Sequence, residues 1–127
     1  MAKLREKLRP HEFKRGDIWL ADLAPVKGHE QDKRRPVLVV QNDIANEHSS
    51  CVTIVPLTTH AGGRVYPTEI LIKSPEGSLK NDSLILCSQI KTLDKELRFV
   101  EYIGHIQPTT LEKVGQALKI HLALVSL

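Results

Sequence analysis

Residues Gly28 to Asn42 read GHEQDKRRPVLVVQN, a charged loop that becomes an apolar strand within two residues. Pro36 fixes its own φ and pushes Arg35 toward extended geometry, so the arginine is held at a strand mouth. The following run, Val37, Leu38, Val39 and Val40, suits a strand buried on both faces. An arginine held by a rigid neighbour suits phosphate, because its planar fork of donors meets two oxygens together. A structural salt bridge with Glu30 would satisfy the same residue, and the sequence leaves both readings open.

Working outward, Asp17 to Leu23 shows a strand pattern with imperfect alternation, in which Trp19 reads as a core or barrel-edge aromatic. The segment 24–34 contains Pro25 and Gly28 and is longer than most connections in a compact domain, a feature of loops that carry function. After a strand at Pro36–Gln41, Asn42 or Asp43 caps a short helical turn through Glu47. Further strands are expected at Cys51–Leu57, Pro67–Lys73, Asp82–Ile90 and Arg98–Ile106. Pro56 suggests an edge or a bulge in the first of these, and Phe99, Tyr102 and Ile103 are burial candidates in the last. Turn-rich segments at His60–Arg64 and Ser74–Lys80 separate them. Six short strands predict a barrel or a strongly curved sheet.

Pro108 leads into a helix, with Thr109 and Glu112 spaced as a capping box. Leu111, Val114, Leu118, Leu122 and Val125 recur at helical spacing, and Ile120, Ala123, Leu124 and Leu127 widen the stripe. A stripe that wide predicts a helix that helps bury a subunit interface, or one seated more deeply against its own barrel.

A chain of 127 residues supports one domain with a real core. We expect that domain to span 14–127 behind a mobile N-terminal extension, 1–13. With 41% hydrophobic and 26% charged residues, composition excludes a disordered or fibrous chain. No apolar run is long enough to span a bilayer, and the N-terminus lacks a signal peptide's apolar core, so a cytoplasmic location is expected. Cys51 and Cys87 are too few and too far apart for a zinc set or a disulfide framework, and read as small hydrophobes in strands. His11, His48, His60, His105 and His121 show no metal-ligand spacing, and no phosphate-cradling glycine loop or nucleophile elbow is present. The net charge of +3 suits a polyanionic partner without demanding one.

Five stretches, RGDIWLADL from Arg15, GHEQ from Gly28, RPVLVVQND from Arg35, PLTT from Pro56 and QIKTLD from Gln89, resemble the MazF/PemK-type toxin endoribonucleases of bacterial toxin–antitoxin systems. The resemblance runs from Lys14 to the C-terminus. It implies a mainly β fold with a C-terminal helix, a small SH3-like barrel of the MazF/PemK/CcdB type, working as a homodimer. It also implies cleavage of single-stranded RNA without metal or cofactor, and a cognate MazE-like antitoxin. A cleft that attracts RNA phosphates also suits an acidic peptide, so the antitoxin is expected to carry an acidic disordered tail.

Metal-free cleavage needs a group to take the 2′ proton, a group to protonate the departing 5′ oxygen, and positive charge beside phosphorus. Arg35 meets the third need. Thr58 matches the threonine of the family's PxTT segment, and is expected to donate a hydrogen bond to a phosphoryl or leaving oxygen or to act as general acid. His29 titrates near neutrality and completes the candidate catalytic set, although some relatives carry serine there. Glu30, Gln31, Lys33, Arg34, Thr59 and Gln89 are the candidate RNA contacts. In the PemK-like branch an arginine and an aspartate precede the glutamine; here Leu86 and Ser88 stand in their places, so that acid–base pair is absent. Two other readings compete: a CcdB-like gyrase inhibitor, and a barrel that binds nucleic acid without chemistry.

Overall fold

Three adjacent strands, β1 (Asp17–Asp22), β2 (Arg34–Val39) and β3 (Cys51–Thr59), are apolar on both faces, and the fold is built around them. The computed structural model describes residues 12–24 and 33–126. The remaining elements are α1 (Asp43–His48), β4 (Glu69–Ile72), β5 (Ser83–Leu86), β6 (Lys91–Asp94), β7 (Phe99–His105) and α2 (Pro108–His121), with a 3-10 turn at Glu76–Ser78. All strand pairs are antiparallel, in the order β4-β5-β3-β2-β1-β7, with β6 also on β3. None of the helices among the described residues is long and apolar enough to cross a membrane.

Because side chains alternate along a strand, the apolar run of β2 divides between two cores. Leu38 and Val40 join Ile18, Val55, Leu57, Ile72, Ile85, Ile106 and Val114 in an inner cluster. Val37 and Val39 join Phe13, Trp19, Ala21, Val52, Ile54 and Leu93 on the other face. One inner cluster collecting residues from β1 through α2 requires a sheet that wraps around it, the mainly β fold with a C-terminal helix that was expected. Phe13 stacks on Trp19 at 4.3 Å between ring centroids and is buried, although the sequence reading set it in the mobile extension.

The segment expected as one strand, Asp82–Ile90, is two, which makes seven strands among the described residues instead of six. β5 pairs with Leu57–Thr59 and β6 with Cys51–Ile54, both antiparallel to β3. A ladder continued from β5 would set Ser88 opposite Ile54, but the residue there is Lys91, so the chain between leaves the sheet as a turn. Gln89 N–H donating to the Leu86 carbonyl at 3.1 Å closes that turn. Cys87 is buried in it, not in a strand, whereas Cys51 is half-buried in β3. Pro56 is buried inside β3, between the stretches paired to β6 and β5, where its missing N–H breaks neither ladder.

The helix α1 has Asn42, one of the two caps the sequence offers, with its side chain accepting from Ala45 N–H at 2.8 Å. The capping box predicted for α2 does not form. Pro108 occupies the first helical turn and Gln107 the cap position without a side-chain bond, so Thr109 lies too far into the helix to cap it. Thr110, Val114 and Ala117 are buried, and Leu111 and Leu118 pack against the inner core. The helix ends at His121, where Leu124 N–H donates to the Lys119 carbonyl and Ala123 takes a left-handed φ of 59°. The apolar stripe therefore does not continue as helix, and Leu122, Leu124 and Val125 stay exposed.

Candidate active site

Arg35 lies at the start of β2, exposed, opposite Ala21 of β1. Its side chain forms no ion pair or hydrogen bond among the described residues. Val37 pairs with Pro56 on β3, and that pair ends the β2–β3 ladder. Alternation puts Arg35 on the face of Val37 and Thr58 on the face of Pro56, and the two faces are one side of the sheet. Carried two residues further, the register would bring Thr58 opposite Arg35. Instead β3 continues as the partner of β5, with Thr58 opposite Leu84 and half-buried.

Arg34 and Thr59 point the other way by the same alternation. Arg34 is opposite Asp22, and Thr59 lines, with Pro36, a groove of about 430 Å³ on the inner-core side. The two adjacent arginines are thus divided by the pleat: Arg35 with Thr58 on one side, Arg34 with Thr59 on the other. Lys33 is exposed, and its carbonyl accepts from Leu23 N–H at 3.1 Å, closing the neck of the β1–β2 loop. Gln89 and Ser88 are exposed in the turn between β5 and β6, and Leu86 is the last residue of β5, opposite Glu69. His29, Glu30 and Gln31 lie outside the described residues, and with them the alternative salt bridge between Arg35 and Glu30.

The groove is also walled by Lys80, Asn81, Glu101 and Tyr102. None of these was a site candidate from sequence. Tyr102, expected to be buried, is 47% exposed here, and burial of part of its ring pushes its hydroxyl pKa up, with Asp17 adding to the effect. Among the described residues no three His, Cys, Asp or Glu side chains converge as a metal-ligand set. The arrangement offers a cation and a hydroxyl on one side of the sheet, and a mixed-charge groove on the other.

Residues 14–122 match the family model described as PemK-like, MazF-like toxin of type II toxin-antitoxin system. The chain belongs to this family. A PemK/MazF relative, Endoribonuclease EndoA of Bacillus subtilis (strain 168), is 42% identical over 112 residues, 88% of this chain and 96% of that protein. Among solved structures, an endoribonuclease in complex with its cognate antitoxin from Mycobacterial species superposes with a TM-score of 0.73 at 29% identity, covering 91% of this chain and 99% of that one. MazF from Deinococcus radiodurans gives a TM-score of 0.64 at 26% identity, covering 87% and 94%. A PemK/MazF fold accounts for the antiparallel sheet and C-terminal helix described above. The groove residues that sequence reading missed come from two separate segments, 80–81 and 101–102, and the packing of the Glu76–Ser78 turn over β7 brings them together.

Proposed function

We propose that this PemK/MazF protein is a toxin endoribonuclease that cuts single-stranded mRNA without a metal and is neutralised by a cognate antitoxin. The observation that carries the proposal is Arg35, unpaired among the described residues at the mouth of a rigid strand, on the same side of the sheet as Thr58. The identity to an endoribonuclease supports it. In the reaction the 2′ oxygen bonds to phosphorus, the P–O5′ bond breaks, and a 2′,3′-cyclic phosphate and a 5′-hydroxyl result. Arg35 binds the phosphoryl oxygens as negative charge grows on them. Thr58 donates to a phosphoryl or leaving oxygen, and His29 carries the proton between the 2′ and 5′ oxygens. The 2′-hydroxyl requirement restricts the substrate to RNA, and the need to splay out bases restricts it to single strands.

A MazE-like antitoxin with an acidic tail suits the exposed Arg34 and Arg35, and the mycobacterial relative solved with its cognate antitoxin supports that partner. Exposed Leu122, Leu124 and Val125 beyond α2 support a homodimer that covers them. The test is incubation with a long single-stranded RNA in excess EDTA. Loss of full-length RNA with cyclic-phosphate ends is expected; intact RNA would overturn the proposal in favour of gyrase inhibition or simple binding.

A further inference from the structure

The chain has five Phe, Tyr and Trp residues, and four of them, Phe13, Trp19, Phe99 and Tyr102, form one cluster with contacting ring centroids 4.3 to 5.9 Å apart. Tyr66 stands outside it, 54% exposed, in the connection from β3 to β4. A ring left in water adds nothing to the core, yet this one is held in place. Its backbone N–H donates to Glu69 Oε1 at 3.0 Å, and its carbonyl accepts from Glu69 N–H at 2.9 Å. The Arg64 guanidinium lies over the ring, 5.7 Å from its centroid, as a cation–π partner.

Register fixes the side of the sheet on which this anchor lies. Thr58 pairs with Leu84, Leu84 with Leu71, and Leu86, two residues further along β5, with Glu69. Alternation therefore puts Glu69 on the side of Thr58, and with it the carboxylate that holds Tyr66, while Ile70 turns to the inner core. Two strand spacings and two residues separate Glu69 from Thr58, roughly 12 Å on a regular sheet lattice. Gln89 reaches the same corner: its N–H bonds the Leu86 carbonyl, and Cys87 N–H bonds the Thr68 carbonyl at 3.0 Å. Unpaired RNA bases bury their faces on aromatic rings, and a guanidinium beside the ring adds to the attraction. We infer that Tyr66 is a stacking platform for one unpaired base of the strand whose scissile phosphate meets Arg35 and Thr58. This rests on the endoribonuclease reading above. Stacking reads the face of a base and not its edge, so Tyr66 adds affinity beside the cut and leaves the choice of sequence to other side chains.

The test compares Tyr66→Ala, Tyr66→Leu and Tyr66→Phe with the parent, after thermal melting has shown each folded. The probe is a short single-stranded RNA with every 2′-hydroxyl methylated, which leaves no nucleophile to cut it. Tyr66→Ala is expected to raise Kd about 5- to 150-fold, Tyr66→Leu nearly as much, and Tyr66→Phe, which keeps the ring, less than about twofold. The slope of log Kd against log salt should stay unchanged, because no phosphate contact is lost. In versions of the probe carrying 2-aminopurine at successive positions, fluorescence at one position should fall on binding to the parent and to Tyr66→Phe, and stay level with Tyr66→Ala. A Kd for Tyr66→Ala within about twofold of the parent would overturn the inference. So would Tyr66→Leu binding as tightly as Tyr66→Phe, which needs only apolar contact, or a salt slope lowered by about one, which would trade stacking for a phosphate contact. Cleavage is read separately on the unmethylated RNA. Parent protein that leaves that RNA whole defeats the endoribonuclease reading, while the binding loss of Tyr66→Ala on the methylated probe still supports the platform, then as part of a barrel that binds without cutting.

Discussion

Substituting Gly104 by alanine tests the tightest surroundings of any glycine among the described residues. Gly104 lies in β7 opposite Ile18, directly beneath the 3-10 turn Glu76–Ser78. A Cβ there would come within 2.3 Å of the Gly77 carbonyl oxygen, 2.6 Å of its carbon and 2.9 Å of Ser78 Oγ. The hydroxyl can rotate away, but the peptide cannot. Gly77 sits at a φ of 67°, and a Cβ added to it would fall 2.5 Å from Ile18 Cδ1, so the turn is already pressed onto the buried strand below. Overpacking a core costs about 1–3 kcal/mol, and a clash with backbone that has no room to retreat belongs at the upper end, ~3 kcal/mol. With a urea m-value of ~1.5 kcal/mol/M for a chain of this size, the unfolding midpoint should fall by about 2 M. Trp19, the one tryptophan of the sequence and 1% exposed, reports unfolding by its fluorescence. The comparison is Gly63→Ala, where the added Cβ meets nothing within 4 Å and only the φ of 103° is unfavourable, a cost of ~1 kcal/mol. Both are measured at one protein concentration, since association would shift the midpoint. A Gly104→Ala midpoint no lower than that of Gly63→Ala would refute the reasoning.

Arg35→Lys keeps the charge and discards the two-pronged geometry; kcat/KM on RNA should fall about 10²-fold, while Lys119→Ala on α2 leaves it within about threefold. Equal rates for Arg35→Lys and parent would remove Arg35 from the site. Burial pushes the Cys87 thiol up to about 11, so in a Cys51→Ser variant the remaining thiol should stay silent to a thiol reagent at pH 8 until denaturant is added. Prompt labelling of the folded variant would contradict that burial. The Arg15 backbone N–H, bonded at 2.7 Å, holds the Asp43 carboxyl below the usual carboxylate range, with Asn46 adding to the effect. A depressed folded pKa contributes stability that is present above the unfolded value and lost as pH falls through the folded one. The gap between parent and Asp43→Ala, at most about 1 kcal/mol for so exposed a group, should therefore be constant above about pH 5 and close on acidification. A gap that widens as pH falls would reverse the assignment.

The run Val37–Val39 was legible as a two-sided strand because hydrophobic pattern alone decides such a case, although the strand runs from Arg34 to Val39 and not from Pro36 to Gln41. The cap of α1 was legible as Asn42 or Asp43, and the local bond from Ala45 N–H decides for Asn42. The failed capping box shows the opposite: Thr109 and Glu112 have the right spacing, yet Pro108 had already set where the helix begins. Reading Asp82–Ile90 as one strand failed for a tertiary reason, since nothing local marks the point where β3 changes partner. Arg35 and Thr58 were singled out by resemblance to a family, and their place on one side of the sheet follows from register. The opposite facing of Arg34 and Thr59 follows from the pleat as well, but only once the strand bounds are known. Lys80, Glu101 and Tyr102 carry no local signature, because a groove wall assembled from distant segments is a property of the pairing.

The two collinear partners of β3 have a consequence for how such chains can diversify. Residues 87–90 bridge them as a side-step off the sheet, so a residue gained or lost there need not re-register either partner. Loop-closure entropy grows so slowly with length that doubling the side-step would cost only about 0.6 kcal/mol. Gln89, a candidate RNA contact, rides on it, so an insertion there would move that side chain while leaving both ladders in register.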